Sequence, residues 1–458
     1  MSKNELIHPS EPINGRTLSN LKAVLESYLG GGEIRDLDLA LLMNVPLNRL
    51  SQLKRAKSSV YTVGRAAEQS VLQQDTTGDD DVELPGIRPS QAVLVRLLLK
   101  CPQLVPIPLR PTSVEVFELL QPFINAIGEG QSVRPGAKSG FAPLFGRSYI
   151  SSYKMLSEGA AGIQSAGLPV ARLQLLVVGK YAELFKAELQ GIVSVSDDAP
   201  DYVINALKRH DGWALLREKD SLTDWLDDEA HLSFESAVHK TFGKWFNDCY
   251  LAVLRDEAKS RDLDPFNALV RGKWVNNSPV SDDKFLSYDR FCRPILGRSD
   301  SLFALFRESF GLTSAEAYWV LGLQVKAFYR FRQRPQQRVD APTAILLRYL
   351  FRYPEDIRFL ISEPMAGHAV LAYLKQEDKK FKLGQLAPLF GASRVMSYEF
   401  ANPETPCPFF ARRLSMIFRV GIQAGIPIYS LLKESVEEEI EARGIDPGQF
   451  AKDGRWHK

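Results

Sequence analysis

The sequence is sparing with cysteine: 4 in 458 residues. Cys101, Cys249, Cys292 and Cys407 are scattered, with no C-x-x-C pair and no histidine cluster beside them. That spacing excludes a disulfide framework and a zinc site and points to reduced thiols. No apolar run approaches the roughly 20 residues that a membrane span needs. The opening "MSKNELIHPSEP" lacks the apolar stretch of a secretory signal. The reading is a cytoplasmic protein with no membrane role. Excess charge is missing too: the net charge is +2, so any basic surface must be local.

Catalytic and cofactor motifs are also lacking. There is no G-x-x-x-x-G-K-[ST], no G-x-G-x-x-G after a strand and no G-x-S-x-G. His8, His210, His231, His239, His368 and His457 stand apart, and His231 and His239 are spaced too loosely to share a metal on one helix face. The carboxylates of "DSLTDWLDDEAHLSFE" read as a cap and an acidic surface, not as a paired acid and base. The expectation is a protein that is not an enzyme and has no metal or cofactor.

What is present is repetition. "APLFGRSYISSY" begins at Ala142, and "APLFGASRVMSY" begins at Ala387. "PSQAVLVRLLLKCP", from Pro89, aligns without gaps to "APTAILLRYLFRYP", from Ala341. Two similar segments in the same order point to a duplicated unit, residues 17–190 and 300–440. Apolar residues recur at three- and four-residue spacing in "LKAVLESYL", "ARLQLLVVGKYAEL" and "ARRLSMIFRVGI", and strand-like alternation is scarce. The fold class is all-α: duplicated pairs of helix-turn-helix-like modules around a central helical insert.

The boundaries follow from composition and punctuation. A first cationic module covers 17–110, with an acidic loop at 58–88 around "QQDTTGDDDVELPG". A second module covers 111–190, and the insert 191–299 has no counterpart elsewhere. A third, cationic module covers 300–364, a fourth 365–440 and a tail 441–458. In the insert, "SFESAVHKTFGKWFNDCYLAVLRDEAKS" is helix-like, and Trp225, Phe242, Trp245 and Phe246 would join the halves or mediate assembly.

The functional signal is cationic. Thr313 and Glu316 form a capping box, so a helix starts there, with Ala317, Val320 and Leu321 inward and Gly322 at a left-handed turn. A second helix, about Gln324 to Gln333, has Val325, Phe328 and Phe331 inward, while Lys326, Tyr329, Arg330, Arg332 and Arg334 face out. Arg330, Arg332, Arg334 and Arg338 have no acid among them, more than a solvated helix face requires. In "IRDLDLALLMNVPLNRLSQLKRAK", Asn44 takes the turn and Leu47, Leu50 and Leu53 point inward. Asn48, Arg49, Ser51, Gln52, Lys54, Arg55 and Lys57 then form the outer face.

"SAEAYWVLGLQVKAFYRF" with the following "PTAILLRYL" resembles the helix-turn-helix of the lambda-repressor/Cro (Xre-like) family. The resemblance implies that Gln324, Lys326, Ala327, Tyr329 and Arg330 face a DNA major groove. The two A-P-L-F-G segments resemble the same motif with fewer cations and a proline inside the first helix. One offers Ser148, Tyr149, Ser151, Ser152 and Lys154; the other offers Ser393, Arg394, Met396, Ser397 and Glu399. Ser148, Tyr149, Ser151, Lys154, Ser393 and Arg394 would be weaker DNA contacts. Arg96 and Arg348 read as snorkelling or phosphate-touching residues at helix flanks. The expected function is sequence-specific recognition of double-stranded DNA, as a nucleoid-associated transcriptional regulator reading a two-part site. A helical scaffold is the alternative, as is an accessory factor for replication, partition or transfer of a plasmid or other mobile element. Contact with itself or another protein would go through the neutral modules or the insert.

Overall fold

The computed structural model describes residues 11–28, 34–45, 47–55, 87–108, 111–127, 138–157, 167–209, 213–275, 291, 302–323 and 338–456. Those residues form helices and connecting turns, with no strand element among them. No described helix is long and apolar enough to cross a membrane. The acidic loop 58–88, apart from its last two residues, lies outside the described residues.

The chain divides into two compact units. One is discontinuous, Met1–Ile107 with Ser362–Lys458; the other is contiguous, Pro108–Ile361. The first cationic segment therefore shares a unit with the last A-P-L-F-G segment, and the middle two segments share the other.

In the discontinuous unit the central element is helix Pro89–Lys100. Its proline sits in the first turn, where no backbone donor is needed. Ala92, Val93, Leu94, Val95, Leu97, Leu98 and Leu99 are all buried, so the helix is apolar nearly all round and belongs to a core. Helix Ile428–Ala442 packs along it. Arg96 is 1% exposed: its Nε donates to Glu439 at 2.8 Å and its Nη2 to the Glu11 carbonyl at 2.7 Å. The expected snorkelling of Arg96 is thus corrected. Burial of a guanidinium requires a carboxylate partner, and Glu439 supplies it from the far end of the chain.

The contiguous unit is organised by the 28-residue helix Leu168–Val195. Helix Asp228–Trp245 lies against it, then passes through a π-helical turn, Phe246–Tyr250, into helix Leu251–Ser260. Phe123, Tyr181, Phe242, Trp245, Phe246, Tyr250 and Tyr349 make one aromatic cluster, with neighbouring centroids 5.1 to 6.4 Å apart. Phe242, Trp245 and Phe246 of the insert therefore belong to a core within this unit, while the half-buried Trp225 donates to the Leu222 carbonyl at 2.6 Å. Arg348 is not at a free flank either: its guanidinium pairs with Glu257 at 3.1 Å.

Several roles recur in the two units. Arg443 donates to Glu439 at 2.8 Å and to the Ile87 carbonyl at 3.4 Å. Arg261 donates to Glu257 and to the Val339 carbonyl, both at 2.6 Å. The Trp456 indole donates to the Pro388 carbonyl at 3.0 Å, and that of Trp274 to the Pro143 carbonyl at 2.8 Å. Residues 251–274, read as part of an insert without counterpart, thus take the same roles as residues 428–456. The shared sequence signal is "LDPFNALVRGKW" against "IDPGQFAKDGRW", with the Asp264 and Asp446 side chains capping their helices alike.

Candidate nucleic-acid interface

Helix Asp36–Leu42 begins where the Asp38 carboxylate accepts the Arg35 amide at 3.0 Å. It ends at Asn44, whose φ of 53° reverses the chain into helix Leu47–Arg55. Asn tolerates this left-handed region because its short polar side chain bonds locally. Leu50 and Leu53 are buried as expected, which turns Gln52 to solvent. Arg49 donates to Gln52 at 2.9 Å across one turn of the helix. Lys54 is held by Asp36 at 2.9 Å, tying the second helix to the first. Ser51 is half-buried; the Asn48 and Arg55 side chains and all of Lys57 lie outside the described residues. From the same unit, the buried Arg413 guanidinium donates to the Leu41 carbonyl at 2.9 Å, satisfying one of the carbonyls a helix end leaves open.

The second cationic segment repeats the first helix and the left-handed turn. Helix Ser314–Val320 carries the full capping box: Glu316 N donates to Thr313 Oγ1 at 3.3 Å and Thr313 N to Glu316 at 2.8 Å. Gly322 follows at φ 65°, as the sequence implied. A Cβ there would stand 2.5 Å from the backbone of Leu168, so the start of helix Leu168–Val195 needs glycine at this turn. Arg172 donates to the Trp319 carbonyl at 2.8 Å, with its guanidinium 3.7 Å above the Trp319 ring. The segment expected to form the second helix lies outside the described residues, and with it Gln324, Lys326, Ala327, Tyr329, Arg330, Arg332 and Arg334. Arg338 is described: its side chain is 10% exposed and faces Asp262 at 3.9 Å. Burial holds its guanidinium pKa below the usual value. That placement makes Arg338 a packing residue.

In the A-P-L-F-G segments the first helix is a single turn, Ala142–Phe145 or Leu386–Leu389. Gly146 and Gly391 turn the chain at φ 72° and 81°. Ser152 and Ser397, expected to face outward, are fully buried. Each hydroxyl accepts an amide at 2.9 Å, from Ala142 and Ala387, and so clips the two short helices together. The outer face of helix Tyr149–Met155 instead carries Tyr149, Ile150 and Tyr153, at 47%, 56% and 59% exposure. Ser148 and Lys154 are exposed beside them, and Ser151 is half-buried within 3.2 Å of the Ser148 hydroxyl. Helix Met396–Phe400 presents Tyr398, with Val395 just before it. Ser393 is half-buried, and Arg394 is exposed and donates to the Lys452 carbonyl at 3.0 Å.

No group of His, Cys, Asp and Glu able to hold a metal occurs among the described residues. Comparison with protein-family models, curated proteins and solved structures finds no match to this chain.

Proposed function

We propose that the protein binds double-stranded DNA in a sequence-specific manner and acts as a transcriptional regulator. The observation that carries this reading is the helix, left-handed turn, helix geometry at Asp36–Arg55, with Gln52 outward over a Leu50–Leu53 inner face. A helix anchored in this way presents its polar face to a major groove, where amide and guanidinium side chains read base edges. The turn at Gly322, with a cation-rich stretch directly after it, supports a second reader and hence a two-part site. Intracellular location in contact with the nucleoid follows from this reading.

The test is selection from random duplex pools at two salt concentrations, comparing the natural chain with Gln52→Ala and with Arg330→Ala/Arg332→Ala. A bipartite motif should be enriched, and each variant should lose preference in one half of it. Absence of any enriched motif would leave the helical-scaffold reading.

A further inference from the structure

We propose that helix Tyr149–Met155 and the turn Arg271–Lys273 together form a contact surface for the phosphate backbone of duplex DNA in the contiguous unit. This rests on the DNA-binding reading above but places a contact on a surface outside both cationic segments. Structurally, the turn is built onto the helix. A Cβ at Gly272, where φ is 61°, would stand 2.5 Å from the Tyr149 amide nitrogen and 2.9 Å from the Arg147 carbonyl oxygen. Only glycine lets the two backbones approach this closely. Trp274, two residues on, is anchored by its indole to the Pro143 carbonyl at 2.8 Å. Gly272 and Trp274 are thereby buried, and the alternating Arg271 and Lys273 are exposed.

Cations then gather on this surface without acids among them. Lys138, Arg147, Lys154, Arg271 and Lys273 lie in residues 138–157 and 265–275, which contain no Asp or Glu. None of the five is ion-paired among the described residues, and no carboxylate lies within either of these two segments to pair with them. Arg147 Nε is buried without a hydrogen-bond acceptor. Cations left unpaired beside exposed Ser148, Tyr149 and Tyr153 hydroxyls are the donor set that phosphate oxygens accept. The corresponding surface of the other unit is compensated: Arg394 is engaged with the Lys452 carbonyl, Arg455 with Asp453 at 3.8 Å, and Glu399 is exposed on the helix. The phosphate contact therefore belongs to the contiguous unit alone.

The experiment uses the full chain and a 30-base-pair duplex of random sequence, with affinity followed by fluorescence anisotropy from low to moderate salt. In Lys154→Ala/Arg271→Ala/Lys273→Ala the slope of log K against log salt should shrink by about 2 to 3, since each phosphate contact contributes about 0.9. Affinity at low salt should fall at least tenfold, with the thermal midpoint unchanged. Lys154→Arg/Lys273→Arg should restore the slope. The motif selected from random pools should stay the same. If the natural chain binds no duplex, the DNA-binding reading fails and this contact with it. If it binds, and Arg330→Ala/Arg332→Ala weakens it but the triple variant leaves the slope unchanged, this contact alone is overturned. Tighter binding of single-stranded RNA than of duplex at this surface would also overturn it.

Discussion

Arg96 and Glu439 form an ion pair of 2.8 Å in which neither side chain has any solvent exposure. Glu439 also accepts Arg443 at 2.8 Å, so one carboxylate holds two guanidinium groups inside the discontinuous unit. Removing one partner of such a group strands a buried charge, which costs about 3–5 kcal/mol. Glu439→Ala is expected to lower stability by that amount in urea unfolding. Glu257→Ala breaks the matching group of the contiguous unit. Its cost should be smaller, because Arg348 is 39% exposed and can regain water.

Three glycines give a graded test of the turns. Gly391→Ala puts a Cβ 2.2 Å from the Ser90 nitrogen at a φ of +81°. Gly146→Ala, at +72°, meets the Ile345 methyl at 2.9 Å and the Pro342 nitrogen at 3.0 Å. Gly425→Ala, at +64°, meets nothing within 4 Å. The left-handed conformation alone costs an alanine about 1–2 kcal/mol. Denaturant midpoints should fall least for Gly425→Ala, further for Gly146→Ala and most for Gly391→Ala, where rigid backbone must move.

Asp356 supplies a pH dependence. It is 1% exposed, accepts the Tyr349 hydroxyl at 2.5 Å and faces Lys180 at 3.5 Å. Burial, the largest influence, raises its carboxyl pKa above the ordinary 3.8; the Tyr349 hydrogen bond and Lys180 act against the rise, and Glu355 and Glu183 add to it. A carboxyl with a raised folded-state pKa contributes stability that is fully present below the unfolded value and is lost as pH rises through the folded one. Relative to Asp356→Asn, which does not titrate, the natural chain should gain stability as pH falls from neutral toward 4. Thermal midpoints of the two proteins across that range read the sign directly.

Much of the local structure was legible in the sequence, for a physical reason. The Thr313–Glu316 capping box, the left-handed Asn44 and Gly322 and the buried Leu50 and Leu53 are each set by residues within one or two turns of one another. Ser152 and Ser397 misled because a serine on a short helix looks the same from outside whether it meets water or, as here, the amide that clips the preceding turn. Arg96 could not be read locally, since its carboxylate lies 343 residues away. The correspondence of 263–274 with 445–456 stood in the sequence but was easy to miss. The residues with fixed hydrogen-bonding or backbone tasks persist, namely the Asp-Pro cap, the glycine and the tryptophan, while most positions between them differ in size or polarity, as Phe266 against Gly448 and Val270 against Lys452.

The division of the chain also predicts which pieces fold. Residues 108–361 form a contiguous unit, so that fragment alone should unfold cooperatively on heating. A fragment ending at residue 299 contains helix Pro89–Lys100 but neither Glu439 nor helix Ile428–Ala442. Its first hundred residues should be digested rapidly by protease while the full chain resists.

The discontinuous unit has a consequence for synthesis. Its helices before Ile107 are synthesised ahead of the contiguous unit, whereas the helices after Ser362 that complete its core are synthesised after that unit. At about 5–20 residues per second, the apolar surface of helix Pro89–Lys100 waits on the order of half a minute for helix Ile428–Ala442. During that interval the contiguous unit can complete itself, and a segment made before it is enclosed after it. Slow translation would lengthen the exposure of that one helix, so chaperone capture during synthesis should map to residues 89–100.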